Sequence, residues 1–122
     1  MIPEKSLSLR IFTGEKQRHE GKPLYEAIVL KAREQHLAGA TVYRSPMGYG
    51  HSSLLHTANI LRLSDDLPII VEIIDATEKI SEFLPLLEGM VGHGLITMQD
   101  IAVVKYGKPQ SEKEKTKEKS RT

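Results

Sequence analysis

Apolar and polar residues alternate over residues 6–13 (SLSLRIFT), with Leu7, Leu9 and Ile11 on one face, the period-two signature of a half-buried strand. A polar loop, 14–22, separates it from a segment of different period. There Leu24, Ile28 and Ala32 recur at helical spacing, with Tyr25, Val29 and the stem of Lys31 alongside, which predicts an amphipathic helix running to about Leu37. Pro23 suits the first helical position, where a missing N–H costs nothing, and Gly39 suits the C-terminal cap. Residues 40–45 read as a second, short strand rich in β-formers. Residues 46–66, which hold Gly48, Gly50, two histidines and three serines, make a connection longer than the roughly 12–15 residues usual without internal structure, a length that marks functional or mobile segments. Within it, 59–63 could extend a hairpin. Residues 67–74 (LPIIVEII) read as a central strand covered on both faces. Asp75, with Glu78 three residues on, resembles a capping box. The helix that follows carries Ile80, Phe83, Leu84, Leu87 and Val91 on one side and a kink at Pro85. Gly92-His93-Gly94 makes a turn, and 95–106 the last strand.

The order β-α-β, long loop, β-α-β predicts an α+β, ferredoxin-like βαββαβ sandwich: an antiparallel sheet, first and third strands central, two helices on one face. Its halves echo each other, LRIF…GATVY against VEII…GLITM, in pattern more than identity. With Leu7, Leu9, Ile11, Ile69, Val71 and Ile73 turned to the helices, the other face carries Arg10, Phe12, Ile70, Glu72 and Ile74. Phe12, Ile70 and Ile74 form an apolar patch of the kind that marks association surfaces, and Arg10 and Glu72 can pair within or between chains. A homo-oligomer packed sheet face to sheet face is expected.

Composition changes this picture at the end of the chain. The 122 residues carry a net charge of +1, but from Lys108 onward six basic residues face three acids, leaving +3 there and −2 in the body. Lacking an apolar anchor, 107–122 is expected to be a disordered charged tail and 1–106 the folding unit. A mildly acidic body offers no broad footprint for nucleic acid, and the central strands turn one aromatic outward where an RNA-recognition sheet stacks several. The absence of cysteine excludes disulfides, thiolate metal sites and a cysteine nucleophile. No apolar run approaches bilayer thickness, and residues 1–5 lack the apolar stretch of a secretory signal, so no membrane insertion and a cytoplasmic location are expected. Gly14 and Gly21-Lys22 have the wrong spacing for a phosphate loop, with Pro23 where Ser or Thr would hold magnesium. Ser, His and Asp occur without a nucleophile elbow or an orienting trio. No catalytic residue is assigned, and a non-enzyme is expected.

A series of short motifs carries a family resemblance: Arg10-Ile11-Phe12…Gly14-Glu15, Gly21-Lys22-Pro23-Leu24-Tyr25-Glu26-Ala27, Ala38-Gly39-Ala40-Thr41-Val42-Tyr43-Arg44, Gly48-Tyr49-Gly50…His56-Thr57, Leu61-Arg62-Leu63-Ser64-Asp65-Asp66-Leu67-Pro68 and Val71-Glu72…Asp75. In this order, over residues 9–106, the chain resembles the bacterial and archaeal family called domain of unknown function one hundred and ninety, a branch of the PII-like proteins. The resemblance implies a homotrimer, a regulatory signalling role, and an adenine nucleotide effector in the clefts between subunits. It also implies a long loop that meets a protein target; residues 44–66 stand where that loop does. Gly92-His93-Gly94 stands where the PII loop before the last strand offers backbone N–H groups to phosphates, with Leu95 replacing the basic residue that follows it there. On this reading the candidate ligand-binding residues are Arg44, Gly48, Gly50, Arg62, Gly92, His93 and Gly94. Arg44 and Arg62 are the anion contacts, since guanidinium makes bidentate, charge-assisted bonds to phosphate; an ion pair with Asp65, Asp66 or Glu72 is the competing role. No cofactor is assigned beyond that effector, and no metal site, because His51 and His56 match no common zinc spacing. The alternatives are a divalent-metal-handling protein like the trimeric PII-like ion-tolerance proteins, using His51, His56 or His93, and a ligand-free structural adaptor.

Overall fold

Strand β1 spans Lys5–Gly14 and buries Leu7, Leu9 and Ile11 on one side, as the alternation requires. The structure, a computed structural model, describes residues 2–49, 56–57, 66–92 and 94–107. Helix α1 (Leu24–Glu34), β2 (Gly39–Arg44), β3 (Pro68–Asp75), α2 (Thr77–Met90) and β4 (Leu95–Ala102) follow. The four strands make one antiparallel sheet in the order β2-β3-β1-β4, with β1 and β3 in the middle. Register puts Ile11 opposite Val71 on one side and Ile96 on the other, and Leu9 opposite Ile73. These residues meet Ile28 of α1 and Ile80, Phe83 and Leu87 of α2 in a single core. Each such side chain contributes about 1.5–3 kcal/mol on burial, which fixes both helices on one face.

Several local expectations give way. Pro23 is the N-cap of α1, with φ −56° and ψ 137°, one residue before the helix it was expected to begin. The helix stops at Glu34 rather than near Leu37, and Gly39 does not cap it. His36 takes the left-handed φ of +62°; its N–H donates to the Arg33 carbonyl and the Leu37 N–H to the Ala32 carbonyl, both at 3.0 Å. That bond pair is a Schellman cap, and Gly39 instead opens β2. The 14–22 stretch is more than a loop: Arg18–His19 pairs with Lys22–Pro23 through a two-residue turn, Glu20 and Gly21, at φ +50° and +84°. Positive φ at both positions is what a type I′ turn demands.

Asp75 closes β3 rather than capping α2, whose N-cap Ala76 has no side-chain cap bond. Its carboxylate, only 4% exposed, accepts the N–H groups of Ala38 (2.8 Å) and Ala76 (2.6 Å), so it ties the start of β2 to the end of β3. Strand β3 is not equally covered on its two faces: Ile69, Val71 and Ile73 are buried, Ile70, Glu72 and Ile74 half-buried. Strand β4 ends at Ala102, short of the expected 106. Val103 N–H still reaches the Glu4 carbonyl at 2.7 Å, and the chain then crosses to β2, where the Tyr106 hydroxyl donates to the Ala38 carbonyl at 2.7 Å. In the long connection Met47–Gly48 pairs with His56–Thr57; the hairpin expected at 59–63 and the tail beyond Gly107 lie outside the described residues.

Candidate functional site

Four of the seven candidate residues fall at one end of the sheet. Arg44 is the last residue of β2, and Gly48 follows in the Met47–Gly48 ladder. Gly92 and Gly94 precede β4 at the same end, beside Phe12 near the end of β1. Gly50, Arg62 and His93 lie outside the described residues. The two groups occupy opposite flanks, because β2 and β4 are the two edge strands. Three strand spacings, roughly 14 Å, separate those edges. A single chain thus brings Arg44 near Gly48 and Gly92 near Gly94 without joining the pairs.

Local bonding explains why these positions are held. Arg44 Nη2 donates to Glu15 Oε2 at 2.7 Å. Among the described residues its ion-pair partner is Glu15 rather than Asp66 or Glu72, Asp65 lying outside them. Nothing in the spacing of the chain signals a pairing made across the start of β3, which separates the ends of β1 and β2. The turn bearing Glu15 is itself fixed. Glu15 N–H donates to the Leu67 carbonyl (2.8 Å), Lys16 N–H to Asp66 Oδ1 (2.6 Å), and Gly14 N–H to Gln17 Oε1 (2.7 Å), which also takes the Thr13 hydroxyl. Ser45 N–H donates to the Pro68 carbonyl at 2.9 Å. Residues 14–16 thereby hold Arg44 on one side of the long connection and Asp66 and Leu67 on the other. A Cβ on Gly14 would lie 2.5 Å from Asp66 Oδ2, and one on Gly94 would lie 2.8 Å from the Phe12 carbonyl oxygen, whereas around Gly92 there is open space. Gly94 is thus required for packing the turn on β1, and Gly92 is free of that duty.

The sheet face away from the helices carries a second polar constellation. Glu72 Oε2 accepts the Ser8 hydroxyl (2.8 Å) and Arg10 Nε (3.2 Å), and its Oε1 accepts the Tyr43 hydroxyl (3.0 Å), linking β1, β2 and β3. Arg10 and Glu72 pair as expected from their alternation; Ser8 and Tyr43 complete a network that residue patterning did not reveal. Burial pushes the Glu72 carboxyl up, but hydrogen bonds from Ser8, Tyr43 and Arg10, with the Arg10 charge, outweigh it and hold the group below the usual carboxylate range. Tyr43 is raised, first by donating its proton to Glu72 and then by that carboxylate's charge. A groove of about 450 Å³ lies on this face at the opposite end from Arg44, walled by Ile2, Ile74, Ile101 and Val103 to Tyr106. Among the described residues no three His, Asp or Glu side chains are arranged to hold a metal ion, and no helix is long and apolar enough to cross a membrane.

This architecture is shared with solved proteins of the PII-like, ferredoxin-like class. The structure resembles CPII of Thiomonas intermedia K12, a nitrogen regulatory PII-like protein bound to ADP, AMP and bicarbonate, with a TM-score of 0.56 at 18% identity over 83% of this chain and 90% of that one. It also resembles the divalent ion tolerance protein CutA1 of Ehrlichia chaffeensis, with a TM-score of 0.55 at 11% identity over 88% and 87% of the two chains. At these identities the likeness is one of fold. Residues 6–103 match the family DUF190, described as an uncharacterized ACR, and the chain belongs to that family. It is 43% identical to a UPF0166 protein of Aquifex aeolicus over 82% of this chain and 94% of the relative, and 36% identical to a UPF0166 protein of Methanocaldococcus jannaschii over 83% and 94%.

Proposed function

We propose that this chain is a regulatory, non-enzymatic protein that assembles as a homotrimer and binds a small anionic effector, an adenine nucleotide, in clefts between subunits. The observation that carries the reading is the placement of Arg44 and Gly48 on one flank of the sheet and of Gly92 and Gly94 on the other, all at the same end. Within one chain the two groups cannot close on a ligand. A ring in which the β2 flank of each copy meets the β4 flank of the next joins them three times, and unlike flanks meeting head to tail is the contact that generates closed rings. In each cleft Arg44 would bind phosphate oxygens, while the backbone around Gly92 and Gly94 would supply N–H groups. The nucleotide-bound PII-like neighbour supports the effector class through its fold. A cytoplasmic location fits such an effector.

The test begins with light scattering for mass, followed by thermal melts with ATP, ADP, AMP and cyclic nucleotides. At about 100 times its dissociation constant a ligand adds roughly 2.7 kcal/mol. The expected result is a trimer whose melting rises with at least one nucleotide, a rise lost in Arg44→Ala and Gly92→Val. Flat melts with every nucleotide in a confirmed trimer overturn the reading. A response to Zn²⁺, Cu²⁺ or Ni²⁺ instead, abolished by His51→Ala with His56→Ala, would replace it with metal handling.

A further inference from the structure

Arg44, the described side chain best placed for an anion, already holds one. Its guanidinium meets Glu15 at 2.7 Å across 29 residues of chain. The two partners are unequally exposed: the Glu15 side chain is 29% accessible and Arg44 57%. The backbone around Glu15 is pinned by the bonds of Glu15 to Leu67, Lys16 to Asp66 and Gly14 to Gln17. A carboxylate on so constrained a turn loses little freedom in reaching its partner, which is the advantage of preorganisation. Carboxylate and phosphate offer guanidinium the same acceptor geometry, two oxygens in one plane.

We infer that Glu15 is a built-in competitor for the anion site of Arg44, displaced when a phosphate-bearing effector binds. The inference rests on the reading of Arg44 as the effector's phosphate contact. In the empty protein the ion pair joins the turn after β1 to the end of β2; in the loaded protein the effector takes that guanidinium and the turn loses its hold. The pair therefore lowers the apparent affinity for every anion by a common factor, and it is the described contact that differs between the two states. Differential contacts of this kind are what allow a ligand to shift an equilibrium. An exposed pair of this type corresponds to about a two- to fivefold effect on affinity.

Calorimetric titration of the full chain with inorganic pyrophosphate and, separately, with ADP tests this in wild type, Glu15→Gln, Arg44→Ala and the double variant. Glu15→Gln keeps the side-chain shape and should bind pyrophosphate two to five times more tightly than wild type; with Arg44→Ala also present, that gain should vanish. A Glu15→Gln affinity equal to or below wild type, or a gain that survives without Arg44, overturns the inference. If ADP binds neither wild type nor Glu15→Gln while pyrophosphate keeps its Arg44-dependent gain, the nucleotide reading fails and the competitor stands. If pyrophosphate binds neither, the competitor fails whatever ADP does.

Discussion

Glu72 holds three donors from two neighbouring strands, and its titration follows from them. Burial favours the neutral acid, while the Ser8 and Tyr43 hydroxyls and the Arg10 guanidinium favour the carboxylate and prevail. The folded chain therefore releases this proton more readily than the unfolded chain, whose carboxyl titrates near its ordinary 4.5. Stability from this group is complete above that value and is lost as pH falls through the lower folded pKa. Urea midpoints measured from pH 7 down to pH 3 should fall more steeply for wild type than for Glu72→Gln; parallel curves would show that the network contributes nothing. At the alkaline end the raised Tyr43 works in the opposite direction: its contribution is complete below about 10 and fades as pH rises through the folded pKa. Tyr43→Phe should remove that alkaline decline. Arg10 and Glu72 could be paired from their alternation alone. The hydroxyl of Ser8 could not, because only the register Ser8–Ile74 and Arg10–Glu72 shows which side chains cross the strand boundary.

Among the elements, the two glycines before β4 separate backbone need from free space. A methyl at Gly94 would meet the Phe12 carbonyl oxygen at 2.8 Å, with backbone on one side and the Val91 side chain at 3.3 Å on the other, while a methyl at Gly92 would meet nothing. Gly94→Ala should cost about 1–3 kcal/mol, the usual penalty for forcing atoms into filled space, and Gly92→Ala should stay within about 0.5 kcal/mol; equal losses in chemical denaturation would refute the distinction. Strand and helix identities were legible because the apolar periods of two and 3.6 survive in Leu7, Leu9, Ile11 and in Ile80, Phe83, Leu87, all of which are buried. Element ends were less so. The sequence offers Gly39 as a C-cap, yet His36 takes the left-handed turn because α1 must stop at Glu34 for the chain to enter β2, and the Lys79 ammonium secures the His36 carbonyl at 2.8 Å from across the helix pair. Asp75 reads as a helix cap from its neighbours, but its carboxylate is taken by Ala38, 37 residues away. Glu15 is the sharpest case. Its role depends on where two strands end, and local spacing carries no such information.

For the whole molecule, the sheet poses a problem that one chain leaves unsolved. One face is buried under α1 and α2; the other leaves Phe12, Ile70 and Ile74 half-buried and Tyr43 and Leu95 about half exposed (47% and 56%), while its far end is walled by Ile2 and residues 103–106. The three residues expected to form an exposed patch are thus half-buried, and the more exposed apolar surface at the Arg44 end of the face is that of Tyr43 and Leu95. The two edges also differ, β2 on one side and β4 on the other. A two-fold dimer would set each edge against its own copy, whereas a ring sets β2 against β4 and turns the apolar faces toward a common axis. In such a ring Ile70, which lies between Phe12 and Tyr43 in the register, would be packed against other copies, and a charge there would be stranded without a partner. Ile70→Glu should therefore reduce the mass in light scattering from about three times the 13.7 kDa of one chain to a single copy, with an unchanged circular dichroism spectrum. Leu30→Glu, on the exposed side of α1 at 41% accessibility, should leave the trimer intact. A trimer that survives Ile70→Glu would remove the sheet face from the assembly, and a wild-type chain that is already monomeric at micromolar concentration would remove with it the proposed cleft between Arg44 of one copy and Gly92 of the next.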